Sequence, residues 1–139
     1  MNTHEDINNN NSEQQQPAVL IVEDSPAQAL KTKLALENNG CQVYWADTGY
    51  GGLDLVYQKV FNLIVLDVEL PDINGFEICR TLKTDPALAD IPVVMLTTLD
   101  QADHVLHGLE AGAIDYIPKD AFADAVLVET IRQMEVGSA

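Results

Sequence analysis

Five times between residues 18 and 134, a short apolar run is followed by a longer segment carrying helix start and stop residues. The runs are AVLIV (18–22), CQVYWA (41–46), LIVLD (63–67), PVVMLT (92–97) and AIDYI (113–117). They are too short for helices and rich in β-branched residues, so they read as strands buried on both faces. Between them, SPAQALKTKLALENNG offers Ser25 as N-cap, Pro26 at the first helical position and Gly40 as the stop. GYGGLDLVYQKV (49–60) reads as a weaker, glycine-rich helix, and GFEICRTLKTD (75–85) as a helix closed by Pro86. QADHVLHGLEAG (101–112) ends at Gly112, and AFADAVLVETIRQM (121–134) is the last helix. Continuous apolar strands alternating with helices predict the α/β class, with a parallel sheet covered on both faces. Crossovers between parallel strands are right-handed, so the expected architecture is an open, doubly wound sheet. The size suits the flavodoxin-like arrangement of five parallel strands in the order 2-1-3-4-5.

One domain fits 139 residues. Residues 1–16, MNTHEDINNNNSEQQQ, hold too little apolar surface to offset chain ordering and are expected to be a disordered leader. The domain is expected over 17–136, with 137–139 as a short tail. Charge narrows the partners. Seven Lys and Arg against 22 Asp and Glu give a net charge of −15. Phosphate backbones and anionic membrane surfaces would repel such a chain, so no direct nucleic-acid or membrane binding is expected. Cations and proteins with a basic face fit it. Cys41 and Cys79 form no metal or redox motif and read as reduced thiols in or near the core. The start of the chain is no signal peptide, and no apolar run approaches the ~18 residues of a membrane span, so a cytoplasmic location is expected.

In doubly wound folds, ligands meet the carboxyl ends of the strands. Strand 1 ends in Glu23 and Asp24, strand 3 in Asp67, and strand 4 in Thr97 and Thr98; strand 5 leads to Lys119. Each alone has an ordinary reading as a helix cap, strand terminus or surface charge. Together, on neighbouring strands, they predict three carboxylates, a hydroxyl and an ammonium in one pocket. Clustered carboxylates repel unless a cation joins them, and a hard divalent ion suits oxygen ligands. A metal and a lysine to absorb charge, with a carboxylate as nucleophile, are the parts for phosphoryl transfer.

The motifs VLIVEDSP, LIVLDVELPDINGFE, IPVVMLTT and GLEAGAIDYIPKDAF resemble the receiver domain of two-component response regulators, from about Ala18 to Met134. The resemblance implies a signalling switch, not a turnover enzyme. Asp67 matches the phosphoacceptor that takes a phosphoryl group from phosphohistidine, with Mg²⁺ or Mn²⁺ as cofactor. Asp24 and Asp67 match direct metal ligands, the backbone carbonyl of Glu69 a further one, and Glu23 a ligand through water. Lys119 matches the lysine that pairs with the acids and then with the phosphoryl oxygens. Thr97 and Tyr116 match the hydroxyl and aromatic of the switch, and Pro71 and Gly75 shape the loop after Asp67. Implied partners are a histidine kinase or histidine phosphotransfer protein and a downstream protein target.

Departures mark the same site. The family usually has Lys-Pro in cis where this chain has Lys119-Asp120, so a trans bond and an altered loop are expected. Thr98 stands where a small residue is common, narrowing access. Glu69, Thr98 and Leu99 occupy positions expected to tune the phosphorylated lifetime, and Glu69 is within reach of the metal or Lys119. The chain stops soon after the last helix, which predicts a stand-alone, chemotaxis-type receiver, monomeric or weakly dimeric, signalling through its surface. An unphosphorylated interaction module of the same fold is the alternative. A haloacid-dehalogenase-type phosphatase also uses Asp, Thr, Lys and Mg²⁺. Its nucleophile, however, precedes its metal acids in the chain, and here the acid pair comes first. His104 and His107, at helical spacing, lack a third ligand.

Overall fold

The computed structural model describes residues 16–98, 106 and 109–138, the last four as backbone. Leu99, His104, His107, nearly all of the 1–16 leader and most of the helix expected over 101–112 lie outside the described residues. The elements run β1 (Ala18–Val22), α1 (Pro26–Glu37), β2 (Gln42–Ala46), α2 (Gly49–Gln58), β3 (Leu63–Leu66), α3 (Gly75–Thr84), β4 (Val93–Thr97), β5 (Asp115–Pro118) and α4 (Ala123–Ser138). All strand pairings are parallel, in the order β2-β1-β3-β4-β5.

Both sheet faces are packed, which is why the central strands are apolar up to Thr97 at the end of β4. Leu20, Val22, Ile64, Leu66, Val93 and Met95 face α2 and α3, against Val56, Phe76, Ile78 and Leu82. Val19, Ile21, Leu63, Val65, Val94 and Leu96 face α1 and α4, against Leu36, Leu127 and Ile131. Cys41 and Cys79 are buried and form no disulfide, as expected. Among the described residues no helix is long and apolar enough to cross a membrane.

Local chemistry sets the helix ends. Ser25 caps α1 by accepting from the Gln28 N–H at 3.3 Å, with Pro26 next. After α1 the chain turns at Gly40, whose φ of +87° suits glycine. Asn74 caps α3 by accepting from the Phe76 N–H at 2.8 Å.

Most expected boundaries hold to within two residues, and two elements shift with an identifiable cause. The fifth strand spans Asp115–Pro118 rather than 113–117. Pro118 lacks an N–H, and the sheet tolerates it because β5 is an edge strand. The last helix spans Ala123–Ser138 rather than 121–134, running into the expected tail. Its start is delayed because the Asp120 carboxylate accepts from the Phe122 N–H at 2.8 Å, holding residues 120–122 in a turn. The Lys119–Asp120 bond is trans, as no cis peptide occurs among the described residues.

Candidate functional site

The strands end nearly flush at their carboxyl side: Val22 is in register with Leu66, Leu66 with Met95, and Thr97 with Pro118. Backbone pairing then continues one residue further. The N–H of Glu23 donates to the Ala46 carbonyl (3.0 Å), that of Asp67 to Val22 (3.0 Å) and that of Lys119 to Thr97 (2.7 Å). The charged residues therefore start from ladder positions, not from free loops, so their side chains emerge from fixed points on the rim.

Lys119 donates to Asp67 Oδ2 at 2.9 Å and to Glu23 Oε1. All three side chains are about nine-tenths buried. Burial disfavours the Lys119 ammonium, but its hydrogen bonds to Glu23 and Asp67, and their charges, outweigh that and raise its pKa above the ordinary lysine value. The remaining oxygens are also engaged. Glu23 Oε2 accepts from the Ser25 N–H (3.1 Å), and Asp67 Oδ1 from the Glu69 N–H (3.3 Å). Glu23, the exposed Asp24 and Asp67 each present an oxygen, all within 4.8 Å of one another. One ammonium against three carboxylates leaves two negative charges uncompensated. That donor set, all hard oxygen and partly open to water, fits a divalent cation such as Mg²⁺.

Other predicted residues take different positions. Thr97 is fully buried at the end of β4. Tyr116 on β5, in register with Met95, is buried in the core cluster on the α2–α3 side of the sheet. Glu69 is exposed and turns its carboxylate toward Thr98, whose hydroxyl donates to it at 3.5 Å, whereas the Lys119 ammonium is held by Glu23 and Asp67. Glu69 and Thr98 thus span the gap between the β3 and β4 loops. Gly75 is required for space: a Cβ there would lie 2.2 Å from the Asp67 carbonyl oxygen.

Two contacts have no signature in the sequence. The Trp45 indole N–H donates to the Glu23 carbonyl at 2.7 Å, which explains why a half-exposed Trp sits on the edge strand. Asp72, in the loop after Asp67, accepts from the N–H groups of Gly49 (2.8 Å), Tyr50 (2.9 Å) and Ile73 (3.0 Å). The Tyr50 N–H does most to hold its carboxyl below the usual range; desolvation opposes this, and the other N–H groups reinforce it. Asp72 reads locally as an ordinary turn residue, and its long-range partners appear only in three dimensions.

Known proteins resemble this chain in sequence and fold. The family model for the response regulator receiver domain matches residues 19–132. The dual master transcriptional regulator RpaA of Synechocystis sp., named as DNA-binding, is 41% identical over 103 residues, 74% of this chain and 43% of that protein. Protein PilH of Pseudomonas aeruginosa is 35% identical over 119 residues, 86% of this chain and 98% of that one. This chain spans about half or less of several other curated relatives and nearly all of PilH. The solved signal receiver domain of a signal transduction histidine kinase from Syntrophus aciditrophicus superposes with a TM-score of 0.79 at 37% identity. That match covers 87% of this chain and 91% of the other. With the sheet order, the acidic rim and these likenesses in agreement, the chain belongs to the family of response regulator receiver domains.

Proposed function

We propose that the chain accepts a phosphoryl group on Asp67 from a phosphohistidine, with Mg²⁺ or Mn²⁺ bound beside it. The observation that carries this reading is the Asp67 carboxylate, which Lys119 and the Glu69 N–H orient within 4.8 Å of two further carboxylates. A carboxylate oxygen of Asp67 attacks phosphorus while the P–N bond to the donor imidazole breaks. The electron pair returns to that nitrogen, which takes up a proton. Asp24, Asp67, the Glu69 carbonyl and, through water, Glu23 would hold the cation, which would supply positive charge against the transferring oxygens. Lys119, already at the carboxylate, would neutralise the same oxygens as they arrive.

The signal would lie in the contacts that change afterwards. Thr97 and Tyr116 are the proposed local switch, the hydroxyl bonding the phosphoryl group and the aromatic following it. Glu69, Thr98 and Leu99 would set how long the phosphoaspartate lasts, Glu69 and Thr98 by restricting water at the mouth. A histidine kinase or histidine phosphotransfer protein would supply the group, and a protein target would read the result. Direct DNA binding forms no part of this reading, because a net charge of −15 opposes it.

The test is intact mass after incubation with acetyl phosphate and Mg²⁺. One phosphoryl group should add to the wild type, and none to Asp67→Asn or without the metal. Absence of an adduct on the wild type would leave the fold as an interaction module.

A further inference from the structure

The loop between β3 and α3 carries Glu69 and is closed at its base by the Gly75 N–H, which donates to the Val68 carbonyl at 2.8 Å. Its tip, by contrast, is tied to a different element. Asp72 accepts from the first two N–H groups of α2, Gly49 and Tyr50, with one carboxylate oxygen on each. These groups have no partner inside their own helix, and α2 has no acidic residue in its first turn. Thr48, the N-cap, takes the Gly51 N–H on its side chain at 3.0 Å and the Gly52 N–H on its carbonyl at 3.1 Å, which leaves Gly49 and Tyr50 to Asp72. Packing repeats the tie: a Cβ on Gly49 would stand 2.2 Å from the Ile73 side chain and 3.2 Å from Asp72 Oδ1. The loop tip is thus seated against the start of α2, with no room for a side chain between them.

We propose that Asp72 is a positioning residue for the cation site. By pinning the β3–α3 loop to α2, it fixes where the Glu69 carbonyl stands relative to the carboxylates of Glu23, Asp24 and Asp67. This rests on the reading of the Glu69 carbonyl as a metal ligand. Without the pin, the Gly75–Val68 bond, the Glu69 contacts with Asp67 and Thr98 and the packing of Ile73 remain. The loop tip loses its hydrogen bonds to α2, however, so the Glu69 carbonyl samples more positions that miss the ion. Groups that orient metal ligands without touching the metal act on affinity in this way.

The experiment compares the full chain with Asp72→Ala, Asp72→Asn and Thr48→Ala. Mg²⁺ binding is followed by calorimetry, and acetyl phosphate labelling is followed as a function of Mg²⁺ concentration. Asp72→Ala should weaken Mg²⁺ binding about tenfold, the low end for such outer partners, while labelling at saturating Mg²⁺ keeps the wild-type rate. Asp72→Asn, which retains one acceptor oxygen, should fall between, and it carries the test if the alanine variant does not fold. Thr48→Ala removes the other cap of α2 and should lower thermal stability while leaving the Mg²⁺ dependence unchanged. Wild-type Mg²⁺ affinity in a folded Asp72→Ala overturns the proposal and leaves Asp72 a helix cap. An equal loss of affinity in Thr48→Ala also overturns it, by tracing the effect to α2 itself. If the wild type binds Mg²⁺ but takes no phosphoryl group, the phosphoacceptor reading fails and the titration still decides the role of Asp72. If it binds no Mg²⁺, both fall together.

Discussion

The two rims of one sheet follow opposite rules. At the amino rim, Phe61 is buried against Tyr44 in an edge-to-face contact with ring centroids 5.6 Å apart. Lys59 lies over the Tyr44 ring at 4.7 Å and needs no buried counter-charge. At the carboxyl rim the chain buries charge instead. Four polar or charged residues are buried among the described residues, and three of them, Glu23, Asp67 and Thr97, lie there. Burying ions rarely stabilises a fold more than well-packed apolar groups would, because desolvation offsets attraction. The amino rim therefore does the holding, and the carboxyl rim retains its charges at some cost to stability, as the phosphoryl chemistry proposed for it would require.

Substitutions at each rim test that division. The largest effect is expected from Lys119→Met. It strands Glu23 and Asp67 together and should lower stability by about 3 kcal/mol in metal-free buffer, the low end for breaking a buried ion pair. Added Mg²⁺ should restore part of that loss, and phosphorylation should disappear. Chemical denaturation with and without the metal measures both, and a variant as stable as wild type would dissolve the contrast. Phe61→Ala at the other rim should also cost about 3 kcal/mol, through the cavity it leaves, with Mg²⁺ affinity unchanged.

A smaller effect concerns alkaline pH. The Lys119 pKa is raised on folding, so its contribution is complete below the ordinary lysine value and is lost as pH rises through the higher folded value. Wild-type stability should therefore fall more steeply than that of Lys119→Met above about pH 10.5. Parallel pH profiles would remove the lysine from that account. The smallest effect is expected at an exposed pair: Arg80→Ala breaks a helical contact with Glu77 and should change stability by under about 0.5 kcal/mol. A larger loss there would mean that surface charge matters more than the contrast between the rims allows.

Much of this was legible in the chain because strand ends and chemical groups coincide. The apolar runs stop at Val22 and Leu66, so Glu23 and Asp67 stand out as the first polar residues at the rim; the alternation gives the doubly wound class, and the chain's size suits the order found. Most element ends were legible to within about two residues, shifting where Pro118 joined an edge strand and Asp120 held a turn; the last helix runs further, to Ser138 where 134 was expected. What stayed hidden were side chains that reach across the fold. Asp72 bonds residues 22 and 23 positions earlier, and Glu69 meets Thr98 from 29 positions away. No local pattern encodes such pairs, since each depends on where two loops come to lie after the sheet has formed.

The bond between Trp45 and the Glu23 carbonyl has an optical consequence. The protein's sole tryptophan is half-exposed and hydrogen-bonded to the backbone of a residue whose side chain belongs to the acidic cluster. Any event that shifts that backbone changes the polarity and hydrogen bonding of the indole, and so the wavelength and yield of its emission. Because no other indole contributes, the chain carries its own unlabelled reporter one peptide group from the site, suited to following binding in real time.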